Sequence, residues 1–261
     1  MSAAGTWRAV GIRTAKSGAR GFFHWNFGPC RLRPTGKGRT VAASAGLLSR
    51  LGKAERAALE ARWTVSTYRR EETIVAHDEQ GRDVFFVLEG RARATVFSEA
   101  GRVIAYRDIE PDDIFGELSA IDGNVRSASV VALEDLRVAR LSGAALREIV
   151  NTLPAFAWAL LEHLSGQMRR MTDRVYEFST LVVRDRLIRE LLRLSAEVGD
   201  GQARVSPAPT HFDLAAKIST HREAVSREMS MLAKLKLIER HGDSLVLRDL
   251  AALRALSHDT R

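Results

Sequence analysis

Cysteine is almost absent from the chain: Cys30 stands alone, so neither an internal disulfide nor a four-thiolate cluster can form. A reducing cytoplasm is the setting this composition suits. No stretch approaches the roughly 18 to 20 uninterrupted apolar residues needed to span a bilayer, so no membrane partner is expected. Acidic residues are missing from the first 54 positions, which hold ten Lys or Arg, while the remainder carries 30 basic against 32 acidic residues. The formal net charge of +8 therefore belongs to the leading arm. It is not evidence that the body of the protein binds nucleic acid, although a basic arm adds salt-sensitive attraction to a polyanion. Walker A, G-x-S-x-G, H-E-x-x-H and protein-kinase signatures are all missing, so no catalytic residues, metal ligands or enzymatic activity are expected.

What is present falls into three parts. Residues 1–43 are rich in Gly, Ala, Ser, Thr and Arg without sustained periodicity, which reads as a disordered basic extension. Its aromatic cluster of Phe22, Phe23, Trp25 and Phe27 has no evident role. Residues 44–153 open with helical spacing through Leu47, Leu48, Leu51 and Leu59. Short β-branched or apolar runs follow at 64–70, 84–89, 91–98, 103–107, 129–132 and 136–141, punctuated by Gly81, Gly90, Gly101 and Gly123. Many short strands at this spacing predict an α+β protein whose first domain is an antiparallel jelly roll.

Within that domain the stretch from Phe115 to Val130, FGELSAIDGNVRSASV, has the makings of a phosphate cradle. Gly116 permits close backbone approach to an anion, because it lacks a Cβ and tolerates φ > 0. The Glu117 carboxylate can accept from a hydroxyl. Arg126, nine residues later, offers a planar fork of donors suited to a phosphate, helped by the Ser127 hydroxyl. One carboxylate and one guanidinium held apart suit a ligand with a sugar hydroxyl at one end and a phosphate at the other.

A long helix is predicted from Pro154 to Val182. Leu161, Leu164, Met168, Met171, Val175, Phe178 and Val182 recur in steps of 3 and 4, the pattern of a two-stranded coiled-coil seam, so this helix is expected to join two copies of the chain. Another amphipathic helix spans 185–196, and GDGQARVSPAP reads as a linker to the final unit within residues 183–261. There, Thr210 with Asp213 and Thr220 with Glu223 form two helix-start signals about ten residues apart, joined near Ile218 and Ser219. This is a helix-turn-helix pattern. The second helix turns Arg222, Glu223, Ser226 and Arg227 outward near its start, where side chains meet base edges in a major groove. Arginine suits guanine O6 and N7, and a carboxylate suits the cytosine amino group. A hairpin wing at 238–247 and a closing helix at 249–256 complete the unit.

The cradle resembles the phosphate-binding cassette of cyclic-nucleotide-binding domains, with Val125 in place of a common proline, and the run R-E-x-V-x-R from Arg222 to Arg227 is similar to the recognition helix of the Crp/Fnr superfamily of bacterial transcription regulators. The resemblance covers residues 45–250 and implies a homodimer built from a ligand-binding barrel, a dimerisation helix and a winged helix-turn-helix. It implies that Gly116, Glu117, Leu118, Ser119, Arg126 and Ser127 hold a cyclic nucleotide, cAMP first and cGMP as the alternative. Thr172 stands where a hydroxyl reaches the base, and Met171 replaces a second hydroxyl, which leaves base selectivity open. It further implies that Arg222, Glu223, Ser226 and Arg227 read a palindromic duplex with GTGA-like half-sites. Thr210 and Thr220 are then expected at phosphates, and RNA polymerase as a further partner. Ser219 stands where relatives often carry Gly, so local strain is expected in the turn.

Overall fold

In the computed structural model the described residues are 46–97 and 103–257. The expected extension, with its aromatic cluster and Cys30, and the turn expected at Gly101 lie outside them. A 3₁₀ turn, Leu48–Arg50, and helix α1, Lys53–Glu60, lead into the strands β1, Thr64–Tyr68, β2, Thr73–Val75, β3, Val84–Glu89, β4, Ala92–Phe97, β5, Val103–Ile109, and β6, Ile114–Phe115. A short helix, α2, Glu117–Asp122, precedes β7, Ser129–Ala132, and β8, Leu136–Leu141. The strands form two four-stranded antiparallel sheets, in the orders β1-β8-β3-β6 and β2-β7-β4-β5. This is the expected jelly roll. Two of its strands, β2 and β6, are too short for an alternating pattern to announce them. Strand β3 is buried on both faces, Val84, Phe85, Phe86 and Val87 all lying in the core, which is why it reads as a continuous apolar run. Phe85 and Phe115 stack inside the barrel with ring centroids 4.9 Å apart.

Helix α3, Gly143–Thr152, is capped by Ser142, whose Oγ accepts from the Ala145 N–H, and buries Leu146 and Ile149 against the barrel. Helix α4, Pro154–Thr180, follows at once, with Pro154 in its first turn. It ends two residues before the expected boundary, because Leu181 and Val182 are extended and Val182 becomes the N-cap residue of α5, Val183–Leu194. The first half of α4 lies on the barrel through Phe156, Ala159 and Leu160.

The expected single seam along α4 divides into two rows. Leu164, Met171 and Phe178 turn toward their own chain. Leu164 and Met171 line a cavity, and the Phe178 ring is flanked by the guanidinium groups of Arg174 and Arg186 at 5.8 and 5.7 Å. Leu161, Met168 and Val175, seven residues apart, form the exposed row at 55, 69 and 65% accessibility. Met168 of this exposed row also borders the cavity.

The expected linker after α5 is a hairpin instead. Strands β9, Ala196–Gly199, and β10, Gln202–Val205, turn at Asp200 and Gly201, and β10 buries Ala203 and Val205. Beyond α6, His211–Lys217, and α7, Arg222–Lys234, the wing strands β11, Ile238–His241, and β12, Ser244–Leu247, join the hairpin in a sheet ordered β11-β12-β10-β9. Helix α8, Leu250–Leu256, is capped by Asp249. The core of this unit gathers Leu187, Ile188 and Leu191 of α5 with Leu214, Val225 and Leu232, all fully buried. Each such side chain stabilises the unit by about 1.5–3 kcal/mol relative to exposure.

Candidate functional site

Gly116 closes β6 and opens α2 with φ of +80°, in the left-handed region where a Cβ is strained. A Cβ there would lie 2.7 Å from both Arg126 Nη1 and Asp83 O, so the close approach is steric as well as conformational. The guanidinium of Arg126 is fixed from three sides. Nη1 donates to Gly116 O at 3.0 Å and to Ser119 Oγ at 2.7 Å, and Nη2 donates to Asp83 O at 2.8 Å. Ser119, expected to meet the ligand, is thus also what positions the arginine. The stretch from Glu117 to Asp122 is the helix α2, which carries Glu117, Leu118 and Ser119 in its first turn.

Glu117 and Arg126 are both 5% exposed, and both line a cavity of 490 Å³ between the barrel and α4. Leu118 and Ser127 stand at its wall, and Leu164, Gln167, Met168 and Met171 of α4 close the far side. Burial raises the pKa of the Glu117 carboxyl against the opposing pull of Arg107, and burial lowers that of Arg126 against the pull of Asp83, Glu79 and Glu117. These groups fit a cyclic nucleotide: a preorganised guanidinium for the phosphate, a desolvated carboxylate for the ribose hydroxyl and an apolar wall for a base. Thr172 is exposed on α4, and its hydroxyl donates to Met168 O in the same helix at 3.0 Å; it is not part of this cavity's lining. Next to the cavity wall, His163 is 2% exposed and bonded to Gln167 at 2.6 Å.

Arg107 of β5 is a cavity residue that the sequence does not announce. Its Nη2 donates to Ile114 O at 2.5 Å, while Nη1 is buried without a hydrogen-bond partner.

In the helix-turn-helix, Thr210 caps α6 as expected, its hydroxyl accepting from the Asp213 N–H at 3.1 Å and donating to Asp213 Oδ2 at 2.6 Å. The second expected capping box does not form. Ser219 takes φ of +52°, Thr220 folds beneath the turn to 9% exposure with its N–H on Ala215 O, and His221 becomes the N-cap residue of α7 without a side-chain bond. Arg222, Glu223 and Arg227 are exposed on α7, whereas the Ser226 hydroxyl is bonded to His211 Nδ1 at 2.7 Å.

An ionic cluster missing from the sequence expectation ties α6 to the barrel. Arg93 of β4 donates to Asp108 Oδ1 at 2.6 Å and to Asp213 Oδ1 at 2.5 Å, and Lys217 Nζ donates to Asp108 Oδ2 at 2.5 Å. Glu190 of α5, 1% exposed, lies 3.7 Å from Lys217 and 3.4 Å from Arg174. Residues from five elements are thereby paired in a largely desolvated patch, where each charge is held by an opposite one.

Among the described residues, no helix is long and apolar enough to cross a membrane, and no three His, Cys, Asp or Glu side chains are grouped to hold a metal ion.

Comparison with known proteins follows this division. Residues 65–152 match the family model of the cyclic nucleotide-binding domain, and residues 185–256 match that of the Crp-like helix-turn-helix domain. The chain is 25% identical over 212 residues to the CRP-like cAMP-activated global transcriptional regulator of Mycobacterium tuberculosis, covering 80% of this chain and 95% of that protein. It is similar to the solved structure of a CRP-family transcriptional regulator of Thermus thermophilus, at 28% identity and a TM-score of 0.61, over 74% of this chain and 96% of that one. A CooA mutant of Carboxydothermus hydrogenoformans shares the fold at 20% identity and a TM-score of 0.71, over 84% of this chain and 98% of that one. With both halves matched in order, the chain belongs to the Crp/Fnr superfamily of transcription regulators and is not an enzyme.

Proposed function

We propose that the chain acts as a cytoplasmic homodimer whose affinity for palindromic DNA is set by a cyclic nucleotide held between the barrel and α4. The observation that carries this reading is the pairing of Arg126 and Glu117 in one cavity, with the arginine already oriented by Gly116 O, Ser119 and Asp83 O. The exposed row of Leu161, Met168 and Val175 supports a second copy packing along α4, with Thr172 of each copy available to the other. Arg222, Glu223 and Arg227 are free of the protein core and suit GTGA-like half-sites, with Ser226 beside them and with Thr210 at the start of α6 and Thr220 in the turn as further candidates near phosphates. RNA polymerase is the expected further partner.

The mycobacterial relative's description as cAMP-activated favours cAMP as effector. A second reading, cGMP, is favoured by Arg107 in the cavity wall. Regulation gains support from the ionic cluster, because Arg93 and Asp108 of the barrel occupy Asp213 and Lys217 at the two ends of α6. A ligand that shifts β5 or α4 would release α6 and let the recognition helices of the dimer take the ~34 Å spacing of successive major grooves. Calorimetric titration of the chain with cAMP and cGMP tests the reading: saturable binding of at least one nucleotide is expected, and binding of neither refutes it.

A further inference from the structure

A side-chain hydrogen bond joins the two helices of the helix-turn-helix outside their apolar core. His211, the first residue of α6, meets Ser226 of α7 through Nδ1 and Oγ at 2.7 Å. Both side chains are half-buried, so water can satisfy either, and burial does not demand the bond. The packing of Leu214 with Val225 and Leu232 already holds the helices together. Asp213, the nearest carboxylate along α6, is engaged elsewhere, taking Thr210 on Oδ2 and Arg93 on Oδ1. The imidazole is thus left to Ser226, and its Nε2 has no partner among the described residues and stands open to water.

Ser226 stands four residues after Arg222 and three after Glu223, so it shares the face of α7 that presents them. What it offers a base edge depends on the imidazole. A serine hydroxyl has one proton and two lone pairs. Where Nδ1 accepts that proton, only lone pairs are left to face DNA; where Nδ1 carries a hydrogen and donates it, the hydroxyl proton is free. The imidazole nitrogen is the more basic of the two atoms, and Nε2, open to water, holds the ring's own hydrogen without cost. The Nε2–H tautomer follows, with Ser226 Oγ donating to Nδ1. In a major groove the groups that donate to such an oxygen are the amino groups of adenine and cytosine, whereas guanine O6 and thymine O4 are acceptors and oppose it.

We propose that His211 is a positioning residue that fixes the hydrogen-bonding sense of Ser226, making it an acceptor that selects adenine or cytosine over guanine or thymine at one position of each half-site. This rests on the reading of α7 as the recognition helix. The test is selection of binding sites by the full chain from duplexes with randomised half-sites, in the presence of cAMP and cGMP. Anisotropy titration of the selected duplex and its single-base-pair variants follows, for wild type, Ser226→Ala, His211→Ala and His211→Asn. The asparagine keeps an acceptor oxygen near the place of Nδ1. Wild type favours adenine or cytosine at one position by at least about threefold, the order of one hydrogen bond. Ser226→Ala loses that preference and no other, His211→Ala loses it at the same position, and His211→Asn restores it. The comparison of wild type with Ser226→Ala changes one half-buried hydroxyl, so a misfolded His211→Ala does not spoil the test. A His211→Ala chain that binds every duplex more weakly by the same factor, with the preference intact, makes the histidine merely structural and overturns the assignment. A preference for guanine or thymine at the position that Ser226 governs, or no such position at all, overturns it too. Selection of no sequence by the wild type removes the recognition-helix reading, and this inference with it.

Discussion

Arg107 and Asp108 are consecutive on β5 and face opposite ways: Arg107 lines the ligand cavity, while the Asp108 carboxylate accepts from Lys217 Nζ at 2.5 Å on the first helix of the helix-turn-helix. Alternation along a strand places them so. The ladder between β4 and β5 also slips between Ala94 and Thr95, beside the residues opposite this pair. A ligand that displaced Arg107 would act one peptide unit away from the ion pair that holds α6.

Lys217→Met tests whether this contact restrains the DNA-binding unit. Asp108 keeps Arg93, and Glu190 keeps Arg174, so the local pairs survive while the link to α6 weakens. Ligand-free affinity for a cognate duplex is expected to rise fivefold or more, a coupling of about 1–3 kcal/mol. Unchanged basal affinity would show that the cluster is only structural. Acidity is not its switch. The Asp108 carboxylate, despite burial, is held below its usual pKa by Arg93 and Lys217, and Asp213 is likewise lowered by Thr210 and Arg93. Their stabilisation is complete above the unfolded carboxylate pKa of about 3.9 and fades only as pH falls through the lower folded values, so it persists across neutral pH.

Glu117→Gln separates stability from function. Burial raises the Glu117 pKa, so its ionised form destabilises the folded state as pH rises from the unfolded value through the folded one. The neutral amide removes that penalty. The variant should melt at or above the wild-type temperature at pH 7 while losing nucleotide affinity by tenfold or more, the order expected for a charged hydrogen-bond partner. A variant that melts lower and still binds nucleotide would contradict the role given to this carboxylate.

Arg126→Leu is a less clean probe than the sequence suggests. Its guanidinium donates to Asp83 O and the buried Ser119 Oγ, so truncation takes a donor from each at about 1–3 kcal/mol, while Gly116 O keeps the Ala120 N–H and the Ser119 hydroxyl; loss of nucleotide affinity in a titration is expected together with a lower melting temperature.

His163 supplies a pH signature of its own. Burial, with Arg107, Arg170 and Arg50 nearby, lowers its pKa from 6.5 to about 4. The unfolded chain takes up this proton below about pH 6.5 and the folded chain does not until about pH 4, so stability falls with acidity across that interval. Glu117 and Asp113, whose pKa values are raised by burial, act in the opposite sense. The difference in melting temperature between wild type and His163→Gln isolates the histidine. It should shift in the variant's favour from pH 7 to pH 5, and a difference independent of pH would argue against a neutral buried imidazole.

Ser219→Gly should stabilise the DNA-binding unit. Serine at φ of +52° carries about 1–2 kcal/mol of left-handed strain that glycine does not, partly offset by glycine's greater freedom in the unfolded chain. A rise of a few degrees in melting temperature is expected, and a fall would mean that the Ser219 side chain contributes more than the strain takes away.

The local features of the site were legible because they depend on short spacings. Gly116, Glu117 and Arg126 lie within one segment, and the Thr210 cap needs only Asp213 three residues on. Arg222, Glu223 and Arg227 likewise stand exposed near the start of α7, and the strands long enough to alternate were placed within a few residues of their ends. What escaped depends on distance. Arg93 meets Asp213 across 120 positions, and no periodicity in either segment signals it. Arg107 reads as one more polar residue on a strand until the barrel closes around it. The contacts that Leu164, Met171 and Phe178 make within their own chain carry no mark in the sequence, because the same spacing serves a helix packed on its own domain and one packed on a second copy. The short helix α2 holds too few residues for a 3.6 period, and the hairpin at 196–205 was masked by the Gly and Asp of its own turn.

The account's central claim is that a cyclic nucleotide in the barrel controls DNA affinity, and fluorescence anisotropy tests it most directly. A labelled palindromic duplex with GTGA half-sites is titrated with the full chain alone, with cGMP, and with cAMP, for wild type and Glu117→Gln. The account predicts that nucleotide tightens wild-type binding fivefold or more and leaves Glu117→Gln unchanged. Wild-type binding to this duplex that is the same with and without either nucleotide would contradict it.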